Sequence, residues 1–385
     1  MGALFPEYRP SWEGEDHQAL RAHAREFFAK EMTPNQEKWA EQHYVDRETW
    51  RKTAAAGLVG VDMPEEYGGQ GGDAAMEMLV ADELCLAKDT AFGYGVGSTI
   101  TPHYIVEYGT EEQKKTWLPA IGSGEKIAAV AMTEPGAGSD LKGVRTTAKR
   151  DGDSYVINGS KTFITNGGSA DTVVVVAKTD AEAGHKGISL FVVDAESEGY
   201  SVGRVLDKIG RRGADTAELF FNDLRVPAEN LIGEEEGQGF YQLMKQLPRE
   251  RLSIAVDSVG MAEAAILDTI AYTKERGAFG QTIFDFQNTK FELADCKSKV
   301  LAARTMADLG VQMLLDGTLD AATASMMKLH CTEVLGEVTD RCLQLFGGYG
   351  YMMEYPIAQM YAAARVARIY GGANEIMKEL ISRGL

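Results

Sequence analysis

Glu250 is the residue whose type and setting best suit proton transfer. It lies in Leu247-Pro248-Arg249-Glu250-Arg251-Leu252, within a long stretch of helical periodicity. A carboxylate works as a general base near neutral pH when apolar surroundings lift its pKa. A glutamate between two arginines on an ordinary helix is more often a surface ion pair. A second segment, Ile369-Tyr370-Gly371-Gly372-Ala373-Asn374-Glu375, offers a carboxylate and glycine N–H groups near the C-terminus. A third, Met132-Thr133-Glu134-Pro135-Gly136-Ala137-Gly138-Ser139-Asp140, is rich in glycine. Its glycines let backbone N–H groups approach a ligand, and Thr133 and Ser139 add hydroxyls. It is not a dinucleotide fingerprint, because Leu141 replaces the third glycine and no βαβ unit surrounds it. Gly159-Ser160-Lys161-Thr162 is not a phosphate loop either, and is expected in a strand hairpin.

Three kinds of segment must position these residues. Up to residue 125 the chain reads as helices, with Ala19–Lys30 and Ala74–Ala87 showing helical spacing. Between 126 and 233 it reads as strands. Thr172–Lys178 holds four consecutive valines, Gly187–Asp194 is similar, and Ala217–Val226 alternates apolar and polar residues. Asp151-Gly152 and Asn158-Gly159 are tight-turn signals between strand-like runs. From 234 to 385 the helical period returns, and Met327, Cys331, Val334, Val338, Cys342 and Leu345 share one helical face. The order is therefore an N-terminal helical domain, a middle β domain and a C-terminal helical domain.

Composition narrows the chemistry. The chain has 385 residues and a formal net charge of −18. That charge repels nucleic acid and anionic membrane surfaces, so an anionic ligand must be met by local cations or oriented N–H groups. The four cysteines form no C-x-x-C pair, and the six histidines show no metal-binding spacing. Reduced core thiols and no metal site are expected. No apolar run reaches transmembrane length. Met1-Gly2-Ala3-Leu4-Phe5-Pro6 lacks a signal-peptide core and has Pro6 where a myristoylation signal takes Ser or Thr, so a cytoplasmic protein is expected.

The motifs as a set resemble the acyl-CoA dehydrogenase family. They are Thr133–Asp140, Asn158–Gly167, Asp215-Thr216-Ala217-Glu218-Leu219-Phe220-Phe221, Glu275-Arg276-Gly277-Ala278-Phe279-Gly280 with Gln287, and Gln344–Gly350. They occur in the family's order and span nearly the whole chain. The resemblance implies an α+β multidomain fold ending in a four-helix bundle, with a β-barrel-like middle. It also implies bound FAD and dehydrogenation of an acyl-CoA to the trans-2-enoyl-CoA in fatty acid or branched acyl-CoA catabolism. A base takes the α-proton, and the β-hydrogen leaves as hydride to flavin N5.

The resemblance also assigns positions. Met132, Thr133, Phe163 and Thr165 would line the flavin ring, and Ser139 would reach the pantetheine arm and the flavin side. Taken as a residue alone, Phe163 reads equally well as strand core. Arg276, Gln287, Gln344, Gly347 and Gly348 would hold the FAD of a neighbouring subunit, which implies a homotetramer built as a dimer of dimers. An arginine suits a pyrophosphate through paired hydrogen bonds. Ala373 and Glu375 match flavin-contacting positions, but Ala373 replaces a common threonine and removes one hydrogen bond.

Many relatives carry the base directly after the tail tyrosine, where this chain has Gly371. The long-chain type, and the isovaleryl type, resemble this chain in placing it at the position of Glu250. Gly371 keeps the N–H that would face the thioester oxygen, beside the ribityl hydroxyl of FAD. A glutamate installed at 371 is expected to face the same α-carbon. Pro248 is expected to bend the helix and widen the acyl pocket, unless it sits in a first helical turn. Tyr241 matches a substrate contact, and Arg249 and Arg251 would meet CoA or an internal carboxylate. Electrons would pass to an electron-transfer flavoprotein. A flavin oxidase or monooxygenase on the same fold, or a non-catalytic acyl-CoA-binding subunit, would carry many of the same motifs.

Overall fold

The computed structural model describes residues 4–385, so the part of the N-terminal reading that rests on Met1, Gly2 and Ala3 lies outside it. Six α-helices come first: α1 Glu15–Glu31, α2 Gln36–Gln42, α3 Arg47–Ala55, α4 Ala74–Leu86, α5 Thr101–Tyr108 and α6 Glu111–Gly122. Local chemistry sets several starts. Asp73 caps α4 by accepting from Met76 N, and Thr110 and Gln113 form a reciprocal capping box on α6. A π-helical turn, Gly95–Ile100, leads directly into α5.

Seven strands follow: β1 Ala128–Ala131, β2 Thr147–Asp151, β3 Ser154–Thr165, β4 Thr172–Lys178, β5 Ile188–Asp194, β6 Tyr200–Val205 and β7 Thr216–Pro227. They form one sheet in the order β1-β4-β2-β3-β7-β6, with β5 paired to β4. Six residues of β4 and six of β5 are buried in succession, so both faces of that part of the sheet are covered. β6 is an exposed edge, and the sheet is a half-barrel rather than a closed one.

The expected turn at Asn158-Gly159 is absent, because both residues lie inside β3. The β3–β7 register shifts between Ile157 and Gly159, which marks a bulge. A Cβ at Gly159 would lie 2.4 Å from Thr146 Oγ1, so glycine is there for close approach rather than for a turn. Asp151-Gly152 does sit at the β2–β3 turn, where Asp151 pairs with Ser154.

Five helices complete the chain: α7 Gly239–Glu275, α8 Gln287–Leu315, α9 Ala321–Leu345, α10 Pro356–Ala367 and α11 Asn374–Ser382. α7 to α10 form a four-helix bundle around Leu252, Val259, Val300, Met327, Val338 and Met360. α11 packs on α9. A further core joins Tyr104, Ile105 and Leu118 to Val174, Val176 and Leu190 of the sheet and Leu243 of α7. This core locks α5 against the sheet and the first third of α7. All four cysteines are buried and free. Among the described residues no helix is long and apolar enough to cross a membrane, and no cluster of metal-ligating side chains occurs.

Candidate active site

α7 carries Glu250 into the interior, where its side chain is buried. Pro248 stands well inside this 37-residue helix rather than in its first turn. It has no N–H to donate, so the Met244 carbonyl loses its usual helical partner two residues before the glutamate. The helix nevertheless continues unbroken. Tyr104 of α5 donates its hydroxyl to Glu250 Oε1 at 2.5 Å. Burial raises the Glu250 pKa above the usual carboxylate range, and the Tyr104 hydrogen bond and the Arg251 charge offset only part of that rise.

The flanking arginines face different partners. Arg249 Nη2 lies 2.5 Å from Asp62 Oδ2, and His103 Nε2 lies 2.9 Å from Asp62 Oδ1. Burial works against the Asp62 charge, but His103 and Arg249 outweigh it and lower its pKa. Arg249 therefore meets an internal carboxylate. Arg251 donates to the Gly371 carbonyl at 3.4 Å and to Ser325 Oγ at 3.3 Å. It ties the base helix to the tail.

The tail turn needs its glycines. Gly371 and Gly372 have φ of +62° and +94°, a region that side chains with a Cβ disfavour. Lys328 of α9 donates to the Gly372 carbonyl at 2.9 Å and to Asn374 Oδ1 at 2.8 Å. Among the described residues nothing accepts from the Gly371 N–H. A Cβ at Gly371 would lie 2.3 Å from Ile254 Cδ1, one helical turn beyond Glu250. Ala373 caps α11 through its carbonyl, which accepts from Ile376 N and Met377 N. Glu375 points to the exposed side of that first turn.

A second group gathers on the sheet. Phe163 is 67 % exposed and has a φ of +60°, at a register shift between Lys161 and Ile164. It is not strand core. A large aromatic held in this conformation and turned outward is a feature of ligand sites rather than of packing. Thr165 lies two residues on, toward the same face, and is partly exposed. Thr162 N donates to the Thr133 carbonyl at 2.9 Å, which draws the glycine-rich loop beside Phe163. Beneath it, Lys161 pairs with Glu134 at 2.8 Å and donates to the Met132 carbonyl at 3.0 Å, both side chains buried. Ser139 is exposed. Nothing lies within 4 Å of a Cβ built at Gly136. An anchored loop, an outward aromatic ring and open space beside two threonines fit a flat heteroaromatic group such as the flavin of FAD.

A third group lies elsewhere. Arg276 follows the last residue of α7, about 39 Å along the helix from Glu250 at ~1.5 Å per residue. Its guanidinium sits over the Tyr349 ring at 5.3 Å. Gln287, the first residue of α8, and Gln344, Gly347 and Gly348 are exposed, and nothing crowds either glycine. Tyr241 is 57 % exposed near the start of α7, with Lys245 Nζ 5.7 Å from its ring centre. Tyr104, Asp62 and Ile254 had no sequence signal pointing to the site; Glu134 and Lys161 lie in the quoted motifs, but nothing in the sequence indicated that they pair.

The helical, β and helical layers place a buried carboxylate on α7 and an outward aromatic ring on the sheet, a combination suited to a flat-ring cofactor and a nearby base. Three family models match the chain: the acyl-CoA dehydrogenase N-terminal domain over 14–125, the middle domain over 129–224 and the C-terminal domain over 237–385. The mitochondrial long-chain specific acyl-CoA dehydrogenase of Sus scrofa is 46% identical over 370 residues, covering 96% of this chain and 86% of that one. The crystal structure of an acyl-CoA dehydrogenase from Geobacillus kaustophilus superposes with a TM-score of 0.95 at 43% identity, covering 98% and 99% of the two chains. A glutaryl-CoA dehydrogenase from Mycobacterium smegmatis, solved in complex with FADH2, matches with a TM-score of 0.91 at 28% identity over 97% and 95%. The chain belongs to the acyl-CoA dehydrogenase family, whose members bind FAD, and it is an acyl-CoA dehydrogenase.

Proposed function

We propose that Glu250 takes the α-proton of an acyl-CoA thioester in an α,β-dehydrogenation. One observation carries this reading: the carboxylate is buried on α7 beside a tail turn whose Gly371 N–H is unengaged. Burial makes Glu250 a stronger base than an exposed glutamate, because the charged form is less well solvated. Tyr104 holds the carboxylate in one rotamer. The Gly371 N–H donates to the thioester oxygen as negative charge builds there, which is where a preformed donor lowers the barrier. Arg251 fixes the Gly371 carbonyl and so aims the opposite side of that turn. Arg249, engaged by Asp62, anchors the helix rather than the CoA.

FAD would supply the hydride acceptor for the β-hydrogen. Met132, Thr133, Phe163 and Thr165 would hold its ring, with Ser139 toward the pantetheine side and Ala373 and Glu375 at the tail. Arg276, Gln287, Gln344, Gly347 and Gly348 lie too far along the bundle to serve the same chain's Glu250. They would complete the site of a second copy, which supports an assembly of at least two chains; a homotetramer of paired dimers is what the resemblance implies. An electron-transfer flavoprotein is the proposed acceptor of the two electrons. Anaerobic mixing of the FAD-loaded protein with acyl-CoA tests the reading: flavin absorbance is expected to bleach in wild type and to persist in Glu250→Gln.

A further inference from the structure

Two neighbouring residues of α5 meet two neighbouring residues of α7. Tyr104 reaches Glu250 directly, and His103 reaches Arg249 through the Asp62 carboxylate. Asp62 comes from a third element, the loop between α3 and α4. Its two oxygens divide the work: Oδ1 faces His103 Nε2 at 2.9 Å, and Oδ2 accepts from Arg249 Nη2 at 2.5 Å. Arg249 Nη2 also lies 3.1 Å from His103 Nε2, but one ring nitrogen cannot donate to Asp62 and accept from Arg249 at once. The carboxylate is thus the group that the two helices share. All three side chains are 12 % exposed or less, so water is a poor substitute for any of them.

Asp62 is itself held in place. Glu77 of α4 is fully buried and accepts from Val61 N, next to Asp62, at 3.0 Å. The same carboxylate accepts from Ser98 Oγ at 3.0 Å and from Thr99 Oγ1 at 2.8 Å. Ser98 and Thr99 belong to the π-helical turn that leads into α5, a kind of irregularity that often sits at functional sites. Arg249 Nε donates to the Thr99 carbonyl at 3.4 Å. The loop before α4, the π turn and α7 therefore meet one residue away from the Tyr104–Glu250 bond.

We propose that Asp62 is a positioning residue for the reaction: through His103 and Arg249 it holds α5 and α7 in the register that keeps the Tyr104 hydroxyl on Glu250. This rests on the reading of Glu250 as the base. His103 and Arg249 face Asp62, with Glu77 behind Val61, and Tyr104 and Arg251 face Glu250. Charge and position then act with opposite signs. Removing the Asp62 charge, and so unmasking Arg249, would by itself favour ionised Glu250. Loosening the Tyr104 hydrogen bond would disfavour it.

The test is the pH profile of anaerobic flavin reduction by acyl-CoA in FAD-loaded Asp62→Asn. On the acid limb the rate is expected to fall about threefold or more and to recover as pH rises, as a weakened hydrogen bond to the carboxylate requires. In a Tyr104→Phe background Asp62→Asn is expected to move the profile no further, because the bond it protects is already gone. A profile that stays in place or moves the other way, or an equal shift on top of Tyr104→Phe, overturns the proposal. If Asp62→Asn does not load FAD, His103→Leu cuts the α5 arm alone and is read by the same two comparisons. Bleaching that persists in Glu250→Gln overturns the base and this proposal together. Silence in Glu250→Gln with an unmoved profile in Asp62→Asn overturns the positioning role alone.

Discussion

Ile254 Cδ1 occupies the place where a side chain at Gly371 would begin, 2.3 Å from an ideal Cβ there. A side chain at 371 would therefore have to turn the Ile254 methyl aside, as well as adopt the left-handed backbone of Gly371. α7 supplies both the carboxylate and, one turn later, the methyl that fills the tail position. The expectation that a glutamate at 371 would face the α-carbon overlooks both this contact and the +62° φ of Gly371.

Gly371→Glu in the Glu250→Gln background is accordingly expected to stay inactive. The left-handed backbone alone costs roughly 1–2 kcal/mol for a residue with a Cβ. Adding Ile254→Ala opens the space, and the triple variant is expected to regain measurable flavin reduction. Stopped-flow bleaching of the double and triple variants checks the order, and equal rates in both would remove Ile254 from the argument.

Tyr104→Phe should shift the pH profile of flavin reduction upward. The lost hydroxyl stabilises the ionised form of Glu250, so its removal raises the base's pKa further. On the acid limb the rate is expected to fall about tenfold, and to recover as pH rises. A uniform loss at every pH would indicate a packing defect instead.

The raised Glu250 pKa also links pH to stability. Below about pH 4, the ordinary glutamate range, the carboxyl is protonated in both folded and unfolded chains and the linkage vanishes. Above that, the unfolded chain ionises first, so the penalty grows until the folded group ionises as well. Glu250→Gln should therefore stabilise the protein at pH 7.5 and lose that advantage near pH 4. Thermal midpoints at the two pH values, with FAD content held equal, measure it. A constant difference would mean that ionisation of Glu250 is not the cause.

Phe163→Gly separates backbone strain from ligand contact. The glycine accepts the +60° φ without penalty, so the unliganded fold should be no less stable. FAD affinity should fall about tenfold or more with the loss of the ring. Fluorescence titration of FAD into the stripped protein checks this, and unchanged affinity would place the flavin away from β3.

Much of the framework was legible because it is local. Successive valines gave β4, helical spacing gave the stripe on α9, and the loss of a carboxylate at Gly371 drew attention to Glu250. Asn158-Gly159 misled because a turn-forming pair also serves inside a strand when a neighbour such as Thr146 comes close. Tyr104 was invisible for a different reason. It meets Glu250 across 146 residues, and nothing near Tyr104 distinguishes its hydroxyl from that of any other core tyrosine. Asp62 and Ile254 matter only through contacts that the folded chain brings together.

Anaerobic flavin reduction by acyl-CoA in Glu250→Gln tests the central claim most directly. The variant is expected to bind FAD and acyl-CoA with near wild-type affinity, while the flavin absorbance band persists and the bleaching rate drops by roughly a thousandfold or more. Bleaching at a rate close to wild type would contradict the assignment of Glu250 as the base.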